Sequence, residues 1–182
     1  MLEEVIEYLL RTLADTDTPV RYAASKALSV ITLKLDPNMA FEVVEAIFGS
    51  LNENVFWEGT TRNLSAVNPL RWHGLTLTLS HVLYRRVPPT DQLPDIINAL
   101  LLALHFEQRS TTGASIGTNV RDAACFGIWS LSRRYKTTEL AEVDTTNIPS
   151  LAHHDQKVGV TQMLATEPVS YTHLTLPTKR IV

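Results

Sequence analysis

The sequence predicts an all-α solenoid of stacked helical hairpins, and three observations carry that prediction. Thr18-Pro19-Val20-Arg21-Tyr22-Ala23-Ala24, Asn68-Pro69-Leu70-Arg71-Trp72-His73-Gly74 and Thr118-Asn119-Val120-Arg121-Asp122-Ala123-Ala124 align, so that their arginines recur every 50 residues. A fixed period of this size marks supersecondary units that bury a core only against their neighbours. Around each aligned segment the apolar residues fall at helical spacing, on one stripe per helix. Thr18, Asn68 and Thr118 also each place a side-chain oxygen where a second helix would begin, and Pro19 and Pro69 follow at its first position.

The first unit spans residues 1–36. Leu2, Val5, Ile6, Leu9, Leu10 and Leu13 form the stripe of its first helix, and Val20, Ala23, Ala24, Ala27, Leu28 and Ile31 that of its second. The small residues near the start of the second helix let the pair approach closely. The second unit, 37–88, is less regular: Phe41, Val44, Ile47, Phe48 and Leu51 make its first helix and Trp72, Leu75, Leu79, Val82 and Leu83 its second, with a polar insertion from Asn52 to Val67 between them. The third unit, 89–137, returns to the pattern. Its stripes are Leu93, Ile96, Ile97, Leu100, Leu101, Leu104 and then Val120, Ala123, Ala124, Gly127, Ile128, Leu131, with the insertion His105 to Gly117 between. Turns between such helices run to about 2–8 residues, so both insertions read as binding loops or mobile segments, on one edge of the stack. No sheet is expected.

A truncated fourth unit is expected over 138–167, where Val158 to Glu167 opens a further first helix. With an unpartnered helix at each end, a fragment of a longer solenoid is expected to unfold broadly and to self-associate. Beyond Glu167 the register fails. Val169 to Thr178 matches the translation of a transposon-end sequencing adapter, so 168–182 reads as a non-native tail and is left out of the fold.

The chain has 182 residues, is 45% hydrophobic and carries a net charge of −3. That charge provides no electrostatic footprint for nucleic acid or an anionic membrane, and no apolar run is long enough to span a bilayer. One cysteine, Cys125, excludes an internal disulfide. The acidic start Met1-Leu2-Glu3-Glu4 is unlike a signal peptide, and the expected location is cytoplasmic.

Chemical motifs are present but poorly placed. Gly113-Ala114-Ser115-Ile116-Gly117 matches G-x-S-x-G and makes a serine hydrolase through Ser115 a remote alternative, yet that elbow needs a preceding strand and here a helix precedes a polar loop. His153-His154-Asp155 has adjacent side chains that diverge, and His73 and His81 are too far apart for a helical metal pair, so neither a metal nor a cofactor is expected. Cys125 lacks an evident base and reads as a buried inert thiol. Asn63-Leu64-Ser65 is a glycosylation sequon only in a secreted protein.

Arg21, Arg71 and Arg121 read as a structural ladder, pairing with acidic turn residues such as Asp15, Asp17 or Asp122. Trp72 lies on a stripe and reads as core, whereas Trp57, in the polar insertion, is either folded back or offered to a partner. Trp57, Arg62, Ser115, Asn119, Arg121 and Asp122 are the residues expected to bind a partner or to support its binding. Arg121 is expected to hold the second insertion across the turn, with Thr118 or Asn119 capping the helix that follows.

The string Gly113 to Cys125 followed by Trp129 resembles a segment of the tubulin-folding cofactor D family, the tubulin-specific chaperones D. Arg71-Trp72-His73-Gly74, Leu83-Tyr84-Arg85-Arg86 and Asp17 to Ala24 are also similar to that family, especially its fungal-type members. The likeness runs from about Leu2 to Glu167, an internal stretch of much longer proteins. It implies a HEAT/armadillo superhelix without enzymatic activity of its own. The same resemblance implies capture of β-tubulin during αβ-heterodimer assembly and disassembly, with other tubulin-folding cofactors and an Arf-like small GTPase as partners, GTPase-activator activity, and a cytoskeleton-associated location. The periodicity predicts only the superhelix, and a generic HEAT-repeat scaffold is the alternative.

Overall fold

The computed structural model describes residues 1–59, 61–144, 146, 148 and 149. Its elements are α1 (Leu2–Thr12), α2 (Thr18–Thr32), α3 (Pro37–Asn52), β1 (Phe56–Glu58), β2 (Thr61–Asn63), α4 (Pro69–Tyr84), α5 (Leu93–Leu104), α6 (Thr118–Arg134) and α7 (Thr137–Ala141), with a 3-10 turn, Thr90–Gln92, leading into α5. Three helical pairs follow one another as the period predicts, and the chain is an all-α solenoid. The expected helix Val158 to Glu167, the segment His153-His154-Asp155 and the tail 168–182 lie outside the described residues.

Helix α4 is the axis of the packing. It lies against α2 on one side and α6 on the other, and also touches α3 and α5. Every residue from Trp72 to Ser80 is therefore buried. Burying a helix all round costs least where its polar side chains are satisfied internally, as those of Thr78 and Ser80 are, whereas Thr76 Oγ1 and Trp72 Nε1 are buried without a hydrogen-bond partner among the described residues. The Thr78 hydroxyl donates to Gly74 O at 2.9 Å, and the Ser80 hydroxyl lies 2.8 Å from both Thr76 O and Ala123 O, the second in α6. Close approach is set by glycine. A Cβ on Gly74 would stand 2.1 Å from Leu13 O, and one on Gly127 would stand 2.6 Å from both Ser80 Oγ and a Leu100 methyl. The α5 and α6 stripes are buried as expected, whereas of the first stripe Ile6 and Leu13, which caps the end of α1, are buried and Leu2 and Val5 remain exposed. In α3, Phe41 is exposed and Val43 takes a buried place beside Val44 and Ile47.

In α2 the buried face is rotated by one residue from the expected stripe. Arg21, Ala24, Ser25, Leu28, Ser29 and Thr32 are buried, while Ala23 and Ala27 are exposed. The hydroxyls of Ser25, Ser29 and Thr32 donate to Tyr22 O, Lys26 O and Leu28 O, at 2.9, 2.7 and 2.7 Å. Locally satisfied hydroxyls are inexpensive to bury, and alanine gives too little apolar area to hold the opposite face inward.

Two further expectations are corrected. The first insertion contains a two-stranded antiparallel ribbon, with Phe56, Trp57 and Glu58 opposite Asn63, Arg62 and Thr61, turned at Gly59 whose φ is +64°. A polar insertion without an apolar stripe carries a weak strand signal, and the left-handed glycine permits the reversal. Second, Asn68 does cap α4, accepting from Leu70 N at 2.9 Å and Arg71 N at 3.3 Å, but Thr18 and Thr118 cap nothing. Each is the first helical residue, past the cap position. Its hydroxyl accepts instead from the arginine three residues on, at 3.0 and 3.2 Å.

The second and third units are clasped at their ends. Arg86, at a left-handed φ of +56°, donates to Arg134 O at 2.7 Å, and Arg134 Nε donates to Tyr84 O at 2.7 Å, so each arginine covers a carbonyl of the other helix's terminus. Arg86 also pairs with Glu139 at 2.6 Å and lies over the Tyr135 ring, whose hydroxyl donates to Pro88 O at 3.2 Å.

Candidate functional site

The two insertions meet on the edge of the stack. Phe106, fully buried, packs its ring 5.0 Å from that of Trp72 and anchors the second insertion on the core. Gln108 then reaches across and donates to Leu64 O and Val67 O, stitching the second insertion to the first. Between Gln108 and Ile116 the chain doubles back, with a bridge between Arg109 and Ser115 and a turn at Gly113, whose φ is +82°. Neither Phe106 nor Gln108 was expected as part of the edge. Their only sequence signal is an aromatic and an amide inside a polar loop.

The recurring arginines differ in their partners. Arg121 donates to Phe106 O at 2.7 Å, Glu107 Oε2 at 3.0 Å, Thr118 Oγ1 at 3.2 Å and Ser115 Oγ at 3.3 Å. It spans the base of the second insertion, and Gly117 is small enough to let it pass, since a Cβ there would stand 2.6 Å from its guanidinium. Arg71 reaches Ser50 Oγ at 3.1 Å and Glu53 at 3.4 Å. Arg21 is buried and donates to Asp15 O at 2.6 Å, Thr16 O at 3.0 Å and His73 Nδ1 at 2.9 Å. The acidic partners are thus Glu53 and Glu107, from the ends of first helices and their loops. Asp15 serves Arg21 only through its carbonyl, its carboxylate accepting instead from Asp17 N at 2.8 Å.

The other expected residues separate into two groups. Ser115 is exposed and donates to Glu107 Oε2 at 3.1 Å, a carboxylate already paired with Arg121, in a loop that a helix precedes. Asn119 is exposed on the first turn of α6, and Asp122, half-buried, faces Cys125. Burial together with the Asp122 charge pushes the Cys125 thiol up from its ordinary pKa, toward the protonated, unreactive form. Among the described residues no cluster of three His, Cys, Asp or Glu side chains could hold a metal ion.

Trp57 and Arg62 form the other group. They sit directly opposite one another in the ribbon, Trp57 being 65% exposed. Arg62 is half-buried with its guanidinium 5.4 Å from the centre of the Trp72 ring, and burial pushes its pKa down from the usual value. The guanidinium has no carboxylate or hydrogen-bond partner among the described residues. Two clefts open on it. One, of about 300 Å³, has a floor of Phe48, Leu51, Ala99 and Leu102; the other, of about 370 Å³, runs between the insertions past Asn63, Ser65 and Arg109. An exposed tryptophan beside an unpaired arginine is the composition of an interface anchor.

Residues 1–160 match the family described as tubulin-specific chaperone D-like, ARM repeats. The chain belongs to that family. It is 30% identical over 149 residues to tubulin-folding cofactor D of Schizosaccharomyces pombe, covering 81% of this chain and 13% of that protein. It is also 30% identical over 132 residues to tubulin-specific chaperone D of Dictyostelium discoideum, covering 72% of this chain and 8% of that protein. No solved structure matches it. Membership in the chaperone D-like family accounts for the 50-residue spacing as stacked ARM repeats, and the family is one of chaperones rather than a known enzyme family. In this ARM-repeat segment the interruptions of the repeat, not the repeat itself, build the edge with the unpaired arginine.

Proposed function

We propose that this chain is a β-tubulin-binding segment of a chaperone that assembles and disassembles the αβ-tubulin heterodimer, acting by contact and without catalysis of its own. The observation that carries this reading is the match to the chaperone D-like ARM-repeat family along residues 1–160. The loop edge supports it, because Trp57 and Arg62 offer an aromatic anchor and a guanidinium with its pairing capacity free, beside clefts suited to side chains of a folded partner. Other tubulin-folding cofactors and an Arf-like small GTPase, whose hydrolysis the whole protein would stimulate, complete the assembly in the cytoplasm.

The test is retention of soluble tubulin by immobilised full-length parent protein, with an unrelated ARM-repeat scaffold as control. Tubulin held by the parent and not by the control, and lost in the paired variant Trp57→Ala/Arg62→Ala with an unchanged melting temperature, is the expected result. Equal retention by the control would overturn the tubulin reading. Tubulin held normally by the paired variant would remove the loop edge from it.

A further inference from the structure

The charges of this solenoid are sorted by helix. The first helices α1, α3 and α5 carry Glu3, Glu4, Glu7, Glu42, Glu45 and Asp95 against one base, Arg11. The second helices α2, α4 and α6 carry Arg21, Lys26, Arg71, Arg121, Arg133 and Arg134 against one acid, Asp122. A net charge of −3 hides this division. The three arginines that open the second helices are occupied in the turns, and Arg86 is occupied by Glu139 and Arg134 O, so the bases left for a partner are Lys26 and, at the end of α6, Arg133 and Arg134.

Those bases surround an aromatic cluster. His81 meets the Phe126 ring edge-on at 5.2 Å, and Trp129 stacks on both Phe126, at 6.0 Å, and Tyr84, at 6.1 Å. Tyr84 and Trp129 remain 40% and 50% exposed. Arg134 lies over Tyr84, its guanidinium 5.1 Å from the centre of that ring. Arg133 is exposed one turn beyond Trp129 on the same helix face, and Lys26 is close enough to His81 to help hold that imidazole neutral. Neither the Lys26 ammonium nor the Arg133 guanidinium has an ion-pair or hydrogen-bond partner among the described residues.

We infer that the α2/α4/α6 face, from Lys26 across Tyr84 and Trp129 to Arg133, binds an acidic, extended peptide segment of a partner protein. Stacked, exposed aromatics give flat area at little entropic cost, and flanking cations without partners supply the complementary charge. The stacked guanidinium of Arg134 keeps its terminal N–H groups for a carboxylate while its Nε is fixed on Tyr84 O. This face is distinct from the loop edge, and the inference stands whether or not the partner is tubulin.

Fluorescence anisotropy with the whole chain tests it, using a short fluorescein-labelled Glu-Gly repeat peptide against Gln-Gly and Lys-Gly peptides of equal length. The Glu-Gly peptide is expected to bind, the other two not, and binding is expected to weaken with added salt. Lys26→Glu/Arg133→Glu should weaken it at least about tenfold with the melting temperature unchanged, since both side chains are free of internal partners. Trp129→Ala should weaken it as well, whereas Trp57→Ala should not. Absence of Glu-Gly binding, binding intact in the charge-reversed variant, or tighter binding of a single-stranded oligonucleotide would overturn the assignment. So would concentration-dependent self-association abolished by the same two reversals, which would make a second copy the occupant.

Discussion

Arg21 donates its Nε proton to His73 Nδ1 across 2.9 Å in the buried space between α2 and α4, so the recurring turn of one repeat is completed by a residue of the next. The tautomer follows from the geometry: Nδ1 accepts, so the proton of the neutral ring sits on Nε2. Burial, and then the Arg21 charge beside it, push the His73 pKa down from its ordinary value to about 4. Tyr22 meets the same ring edge-on at 5.7 Å.

That depressed pKa predicts an acid-sensitive fold. Between about pH 6.5 and pH 4 the unfolded chain binds a proton at residue 73 that the folded chain refuses, so stability rises with pH across this window and is complete above it. His81, lowered to about 4 by burial and by Arg85 and Lys26, acts in the same direction over the same window. Melting temperatures measured from pH 7.5 down to 4.5 should therefore fall, and the fall should be shallower in His73→Asn; equal slopes in the two proteins would refute the linkage.

Replacing Arg21 by methionine keeps much of its volume but abandons two carbonyls, a threonine hydroxyl and the His73 nitrogen. A loss of about 3 kcal/mol is expected in urea unfolding, in the range for breaking a buried charged network. The same change at Arg71, which is more exposed, should cost well under half of that.

Gly74→Ala would force the new methyl into the Leu13 carbonyl, 2.1 Å away, where backbone and not a flexible side chain stands in the way. About 1–3 kcal/mol of destabilisation is expected, read as a lowered melting temperature, with α1 losing amide-exchange protection first. Gly49→Ala, with open space around its Cβ position, is the matched control and should be neutral or slightly stabilising.

Arg121→Ala should release the second insertion from its base. Loss of the bonds to Phe106 O and Glu107 is expected to cost about 1–3 kcal/mol and to raise exchange of the Ser110 and Ile116 amides, which donate within the loop. If the parent then loses tubulin with its thermal stability unchanged, Arg121 would contact the partner directly instead of supporting the loop.

The order of the helices, their pairing and the buried faces of α5 and α6 follow from the sequence alone, because apolar residues at helical spacing and a fixed period leave one way to bury those stripes. Arg21, Arg71 and Arg121 were also legible as a recurring set. Their partners were not, since Glu53, Glu107 and His73 sit 18, 14 and 52 residues away from them and approach only once the helices stack. Tertiary packing alone decided the rotation of α2, where satisfied hydroxyls rather than apolar side chains face inward. It also decided the site. Arg62 reads as one more polar loop residue until the ribbon lays it over Trp72, and Tyr84, Phe126 and Trp129 lie on two helices whose rings meet only through the α4–α6 contact. Local sequence sets which face of a helix is apolar, whereas which side chains from distant turns are brought together depends on how the repeats rotate and stack.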